Sequence, residues 1–133
     1  MAVQFSTAVR NARLDVIEST IGASAVLKIR TGAQPANVAA ADSGTVLATI
    51  NLPADYLAAA SSGSKAKSGT WEDTAADAAG TAGHWRLYAS DGTTCHAQGS
   101  CGQGSGDLSL DNTNIAVGQT ITVTSWSFTE GNA

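Results

Sequence analysis

Four side chains in this 133-residue sequence could ligate a soft metal: His84, Cys95, His96 and Cys101. A structural zinc site needs four such ligands in a tetrahedron. Cys95 and His96 are adjacent, and neighbours on a strand point to opposite faces, which works against a shared ion. A disulfide is the second chemistry open to the two cysteines. On one extended strand their Cα atoms would lie about 20 Å apart, against a limit of about 7 Å. A bridge would require the glycine-rich stretch 99–106 to fold back, so two free thiols are the favoured reading. No metal and no cofactor are expected.

Nucleophilic catalysis needs a base within hydrogen-bond reach and a third residue to orient it. Ser62-x-x-Lys65 and Ser64-x-x-Lys67 match the Ser-x-x-Lys pattern of penicillin-recognising enzymes. The chain contains 14 serines, so such spacings arise by chance, and no Ser-Asp-Asn or Gly-x-Ser-x-Gly element accompanies them. Residues 99–106 lack the Gly-Lys-Ser/Thr ending of a phosphate loop. Asp107, Asp111, Asn112 and Asn114 could offer oxygens to calcium, but Asp and Asn also form turns. Asp73 and Asp77 read as solvated loop charges. Trp71, Trp85, Tyr88 and Trp126 could stack sugar rings or fill a core. Core is the favoured role for Trp85 and Trp126, while Trp71, flanked two residues away by Gly69 and Asp73, is evenly balanced. The chain is expected not to be an enzyme.

The elements that must position these residues follow from composition and pattern. Leu, Ile, Val and Phe number only 24, while Ala, Gly, Ser and Thr make up 68 of 133 residues. Few large side chains imply a thin core that gains stability from partner chains. A net charge of −4 with seven Lys and Arg leaves no electrostatic footprint for nucleic acid. No stretch approaches the roughly 20 apolar residues of a membrane helix. Met1-Ala2-Val3-Gln4-Phe5 lacks the basic and apolar regions of a signal peptide, so a soluble protein made in the cytoplasm is expected.

Ser6 or Thr7 can cap a first helix, with Val9, Ala12, Val16, Ile17 and Ile21 at roughly helical spacing and Gly22 as its stop. Strand patterns follow at 25–30 and 45–52, separated by a loop over 34–43. Residues 54–60 could form a short helical turn, and 61–68 read as a Ser/Gly/Lys loop. His84 to Ala89 alternates, and Asp91-Gly92 signals a hairpin returning over 94–98. That pairing predicts Trp85 and Leu87 facing inward with Arg86 and Tyr88 facing outward. Residues 99–106 read as mobile or tightly turned. A short strand at 107–110 and a long alternating one at 120–128 complete the set. The expectation is a mainly β protein: an antiparallel β-sandwich or jelly-roll-like domain of six to eight short strands over 23–133, with an N-terminal α-helical arm over 1–22.

Several blocks resemble a family of small virion structural proteins of tailed phages and prophages of Gram-negative bacteria. They are Phe5-Ser6-Thr7-Ala8-Val9-Arg10-Asn11-Ala12-Arg13-Leu14-Asp15, Leu27-Lys28-Ile29-Arg30-Thr31-Gly32 and Ala41-Asp42-Ser43-Gly44-Thr45-Val46-Leu47-Ala48-Thr49. Lys65-Ala66-Lys67-Ser68-Gly69-Thr70-Trp71 and Asp91-Gly92-Thr93-Thr94-Cys95-His96 belong with them. Val38 stands where the resemblance implies a cysteine. The resemblance implies a virion protein and supplies no catalytic residue. The expectation is a capsid cement (decoration) protein bound to copies of itself and to the major capsid protein, with no nucleic acid and no membrane as partner. A tail or fibre-associated component and a carbohydrate-binding β-module are the alternatives. The candidate interface residues are Val9, Arg10, Arg13, Ile17, Ile21 and Trp71.

Overall fold

Ser6 opens helix α1 (Thr7–Ile21), its hydroxyl accepting from the Val9 amide at 3.2 Å. Gly22, at φ +91°, closes the helix with its amide on the Glu18 carbonyl. The computed structural model describes residues 3–130. Within them α1 lies against the strands. Leu14 is wholly buried and Ile21 enters the core, whereas Val9 and Val16 of the expected stripe are exposed. The seating is largely polar. Asn11, Asp15 and Glu18 accept from the amides of Gly63, Ala60 and Leu57.

Nine strands follow among the described residues: β1 (Val26–Thr31), β2 (Val46–Asn51), β3 (Ser64–Ala66), β4 (Glu72–Asp73), β5 (Gly80–Tyr88), β6 (Cys95–Gly102), β7 (Leu108–Leu110), β8 (Asn114–Ile115) and β9 (Ile121–Thr129). They form one sheet in the order β2-β1-β5-β6-β7-β9-β3, with β4 added on β9 and β8 on β5. All pairings are antiparallel except β6 with β7. The mainly β architecture with an N-terminal helix is therefore present. It is a curled, mixed half-barrel, and not clearly the two-layered jelly roll expected. The curl brings β4 back toward β2. The Thr49 amide donates to Asp73 at 3.0 Å, the Thr49 hydroxyl to Asp77 at 2.7 Å, and the Asp77 amide to the Leu47 carbonyl. Asp73 and Asp77, read above as solvated charges, hold the β2 edge.

The concave face carries the core: Leu27, Ile29, Leu47, Ile50, Leu87, Leu108, Leu110, Ile121 and Val123 around Trp71, Trp85 and Trp126. Trp126 joins the other two tryptophans, at centroid separations of 5.8 Å from Trp71 and 6.1 Å from Trp85. Aromatic bulk thus fills a core with few aliphatic side chains.

Three local expectations change. Residues 54–60 form no helical turn, because Tyr56 and Leu57 turn into the core and Leu57 bridges to Lys67. Residues 61–68 contain β3, recruited by β9 through Lys65 opposite Phe128. The glycine-rich stretch is strand as far as Gly102, where β6 pairs with β5 through Trp85 opposite Gly99. A Cβ at Gly99 would lie 2.8 Å from the Trp85 ring and 2.9 Å from Asp107 Oδ2, so the glycine admits the indole.

The Asp91-Gly92 turn joins β5 to β6, with Gly92 at φ +70°. Trp85 and Leu87 are buried, yet so are Arg86 and Tyr88. The loop over 34–43 covers the second face. Arg86 donates to the carbonyls of Val38 and Ala40 and pairs with Asp42. Asp42 also receives Arg30 at 3.1 Å and the Tyr88 hydroxyl at 2.7 Å. Polar alternation in β5 thus encodes a clamp for a loop.

Candidate functional site

An open apolar groove of about 630 Å³ runs between the last turns of α1 and the strands β6 and β9. Val16, Ile17, Thr20 and Ile21 form the helical wall. Trp85, Leu87 and Ala97 come from β5 and β6, and Trp126 and Phe128 from β9. His96, Gln98, Asp107, Ser127 and Val38 supply the remaining rim. The groove exists because β7 is short. It joins β6 to β9 only through Cys101–Leu108, Gly102–Ser109 and the Leu108–Leu110 pairs with β9, and the two longer strands continue past it.

Phe128 is the most informative side chain of the groove. It is in phase with Trp126 and stacks on it at 6.4 Å with a 20° interplanar angle, so it belongs to the concave face. It is nevertheless 47% exposed, because none of the described residues covers that end of β9 fully. Two polar atoms of groove-lining residues, Trp85 Nε1 and Gln98 Oε1, are buried without hydrogen-bond partners. The Gln98 amide nitrogen donates to the Pro35 carbonyl at 2.7 Å, which fixes the orientation of that side chain.

The candidate interface residues divide among three places. Ile17 and Ile21 line the groove. Arg10 and Arg13 sit at the end of β9, where Arg10 donates to the Glu130 carbonyl and Arg13 pairs with its carboxylate at 2.9 Å. Arg13 also lies over the Phe5 ring, 5.2 Å from its centroid. Val9 is exposed and does not line the groove. Trp71 is only 1% exposed, its Nε1 donating to the Ser68 carbonyl, so it belongs to the core of the chain and offers no contact surface. Phe128, Ala97 and Gln98 also line the groove and are not among the residues that the sequence marks. The signal for Phe128 was present in the Trp126-Ser127-Phe128 alternation, which places it inward.

The other chemistries are placed as follows. Cys95 and Cys101 are free thiols on β6, and burial pushes the Cys101 thiol up to about 11. His84 is wholly buried with Nδ1 2.8 Å from the Gly32 carbonyl, while His96 is exposed on the groove rim. No group of three potential metal ligands gathers among the described residues. Lys65 is buried and donates to Asp15 at 2.8 Å and to the Ala58 carbonyl, and Lys67 donates to the Gly69 carbonyl. Both ammonium groups are thus committed within the fold. Asn112 accepts from the Asn114 amide, as a turn former does, whereas Asp111 accepts from the Thr122 amide of β9 and so ties two distant segments together.

No protein family, curated protein or solved structure matches this chain. Among the described residues no helix is long and apolar enough to cross a membrane. Three of the seven basic side chains, Arg30, Lys65 and Arg86, are buried in internal ion pairs.

Proposed function

We propose that this protein is a non-enzymatic structural component of a tailed-phage particle, in first place a capsid cement protein that holds to copies of itself and to the major capsid protein by surface complementarity. The observation that carries this reading is the apolar groove, with Phe128 of the concave face left half in solvent at its end. An open apolar groove of this kind can take a partner's apolar side chains, whose burial there adds stability. The sequence blocks resembling small virion proteins supply the setting. A stacking platform for sugar has less support, since Trp71, Trp85 and Trp126 are each at most 5% exposed.

Quantitative mass spectrometry of purified particles tests the proposal. A copy number that scales with the capsid lattice is expected. A handful of copies per particle would place the protein in the tail instead. Its absence from particles that otherwise assemble and infect would overturn the structural reading altogether.

A further inference from the structure

Among the described residues, four buried polar atoms on the convex face have no hydrogen-bond partner within the protein: Arg30 Nε, His84 Nε2, Arg86 Nε and Gln98 Oε1. They occur as two couples. Arg30 of β1 stands directly opposite His84 of β5, and Arg86 of β5 stands directly opposite Gln98 of β6. Directly opposed residues of an antiparallel pair share a face of the sheet, and here the 34–43 loop lies over it. Burial is close to complete: Arg30 is 7% exposed, Arg86 1% and His84 0%.

Each couple sets a donor without an acceptor against an acceptor without a donor. An arginine Nε–H only donates. His84 Nδ1 lies 2.8 Å from the Gly32 carbonyl, which only accepts, so that nitrogen carries the ring proton and Nε2 of the neutral ring is left an acceptor. Gln98 spends its amide nitrogen on the Pro35 carbonyl at 2.7 Å, which leaves Oε1 an acceptor. Neither couple closes directly, because other bonds hold its members apart. The terminal nitrogens of Arg30 rise to the carbonyls of Ser43 and Gly44 and to Asp42. Those of Arg86 rise to the carbonyls of Val38 and Ala40 and to Asp42. The Cys95 sulfur also lies beside the Arg86 guanidinium, but sulfur is a weak acceptor and this thiol directs its proton to the Ala97 carbonyl.

We propose that the space beneath the 34–43 loop binds two internal water molecules, one bridging Arg30 Nε to His84 Nε2 and the other bridging Arg86 Nε to Gln98 Oε1. A water accepts from the arginine N–H and donates to the facing atom, so it complements both members of a couple at once. An anion would satisfy the N–H but face the lone pairs of His84 and Gln98, and a cation would do the reverse. One bridging water spans roughly 5 Å between the atoms it joins, close to the spacing of directly opposed side chains. Buried waters occur on the order of one per 27 residues, with two to four hydrogen bonds each, so two such sites suit a chain of this length. The waters are then part of the clamp that orients both guanidinium groups toward the loop. This inference is independent of the virion reading.

Cross-relaxation between water and the arginine Nε–H protons tests the assignment by NMR on the unmodified chain. A long-held water gives effects of opposite sign in the laboratory and rotating frames, and that result is expected at both Arg30 and Arg86. Equal signs would mean proton exchange with bulk solvent, and they overturn the site at that arginine. So does the absence of any water signal there, or a scalar coupling across a direct hydrogen bond from Arg30 Nε to His84 Nε2. A proton found on His84 Nε2 instead of Nδ1 also overturns the first site. Gln98→Leu removes one acceptor while keeping most of the bulk. It is expected to abolish the signal at Arg86 and to leave the signal at Arg30 unchanged, which also reports that the face stays folded. An Arg86 signal that survives this change overturns the assignment to Gln98.

Discussion

Gly99 and Gly92 are both glycines of the β5–β6 hairpin, and they are glycine for different reasons. Gly99 lies under the Trp85 ring with no room for a Cβ, whereas Gly92 has open space around it but sits at φ +70°. Gly99→Ala is expected to cost about 1–3 kcal/mol through overpacking, measured by chemical denaturation. Gly92→Ala is expected to cost about 1 kcal/mol through backbone strain alone. Asp42 shows a third kind of residue-level constraint. Burial works against its charge, but the Tyr88 hydroxyl, Arg30 and Arg86 more than offset this and hold the carboxyl below its ordinary value. A carboxyl so depressed stabilises the fold above the unfolded value of about 3.9 and loses that contribution as pH falls through the lower, folded value. Stability should therefore decline below about pH 4, and Asp42→Asn should flatten that decline while lowering stability at pH 7. An unchanged acid limb in the variant would show that other carboxylates govern it. Arg86 is 1% exposed, so removing its carboxylate altogether, in Asp42→Ala, is expected to cost about 3 kcal/mol.

At the scale of elements, the readable segments were those with a strict period. The strand patterns at 25–30, 45–52 and 120–128 correspond to β1, β2 and β9, and Ser6 and Gly22 bound the helix as their chemistry requires. The less legible segments depend on partners distant in sequence. β3 is three residues of Ser-Lys-Ala with no period, ordered by β9 on one side and by Asp15 of the helix on the other. The glycine-rich half of β6 resembles a loop because the side chain that completes it, Trp85, belongs to β5. The second buried face of β5 was illegible because Arg and Tyr read as solvent-facing until a loop supplies carbonyls and Asp42. The groove lay hidden for a related reason. Its lining is spread over a helix, two loops and three strands, and of the candidate interface residues only Ile17 and Ile21 belong to it. The helix itself gives a clean test of its seating. Leu14→Ala should cost about 2–5 kcal/mol because the side chain is wholly buried, whereas Val16→Ser on the exposed face should change stability by about 0.5 kcal/mol or less. Equal losses in the two variants would mean that α1 is seated by a different face.

For the whole molecule, the shortage of large side chains is met in two ways inside the chain. The three tryptophans pack together through Trp126, and buried arginines tie the 34–43 loop across the convex face. Among the described residues, the sheet is left open between the ends of β6 and β9, and there apolar surface remains in contact with solvent. Burial of such surface contributes about 25 cal/mol per Å², so a partner that covers it adds stability to a thin core. The functional consequence can be measured with purified protein and particles lacking it. Phe128→Glu places a charge where a docking segment would have to desolvate it, and is expected to reduce rebinding by tenfold or more without unfolding the chain, since the residue is already half exposed. Val117→Glu introduces the same charge at an exposed position outside the groove and should rebind as the parent does. Parent-like rebinding by Phe128→Glu would separate the groove from the particle contact. The attachment surface would then have to be sought on the opposite, convex side, around the 34–43 loop.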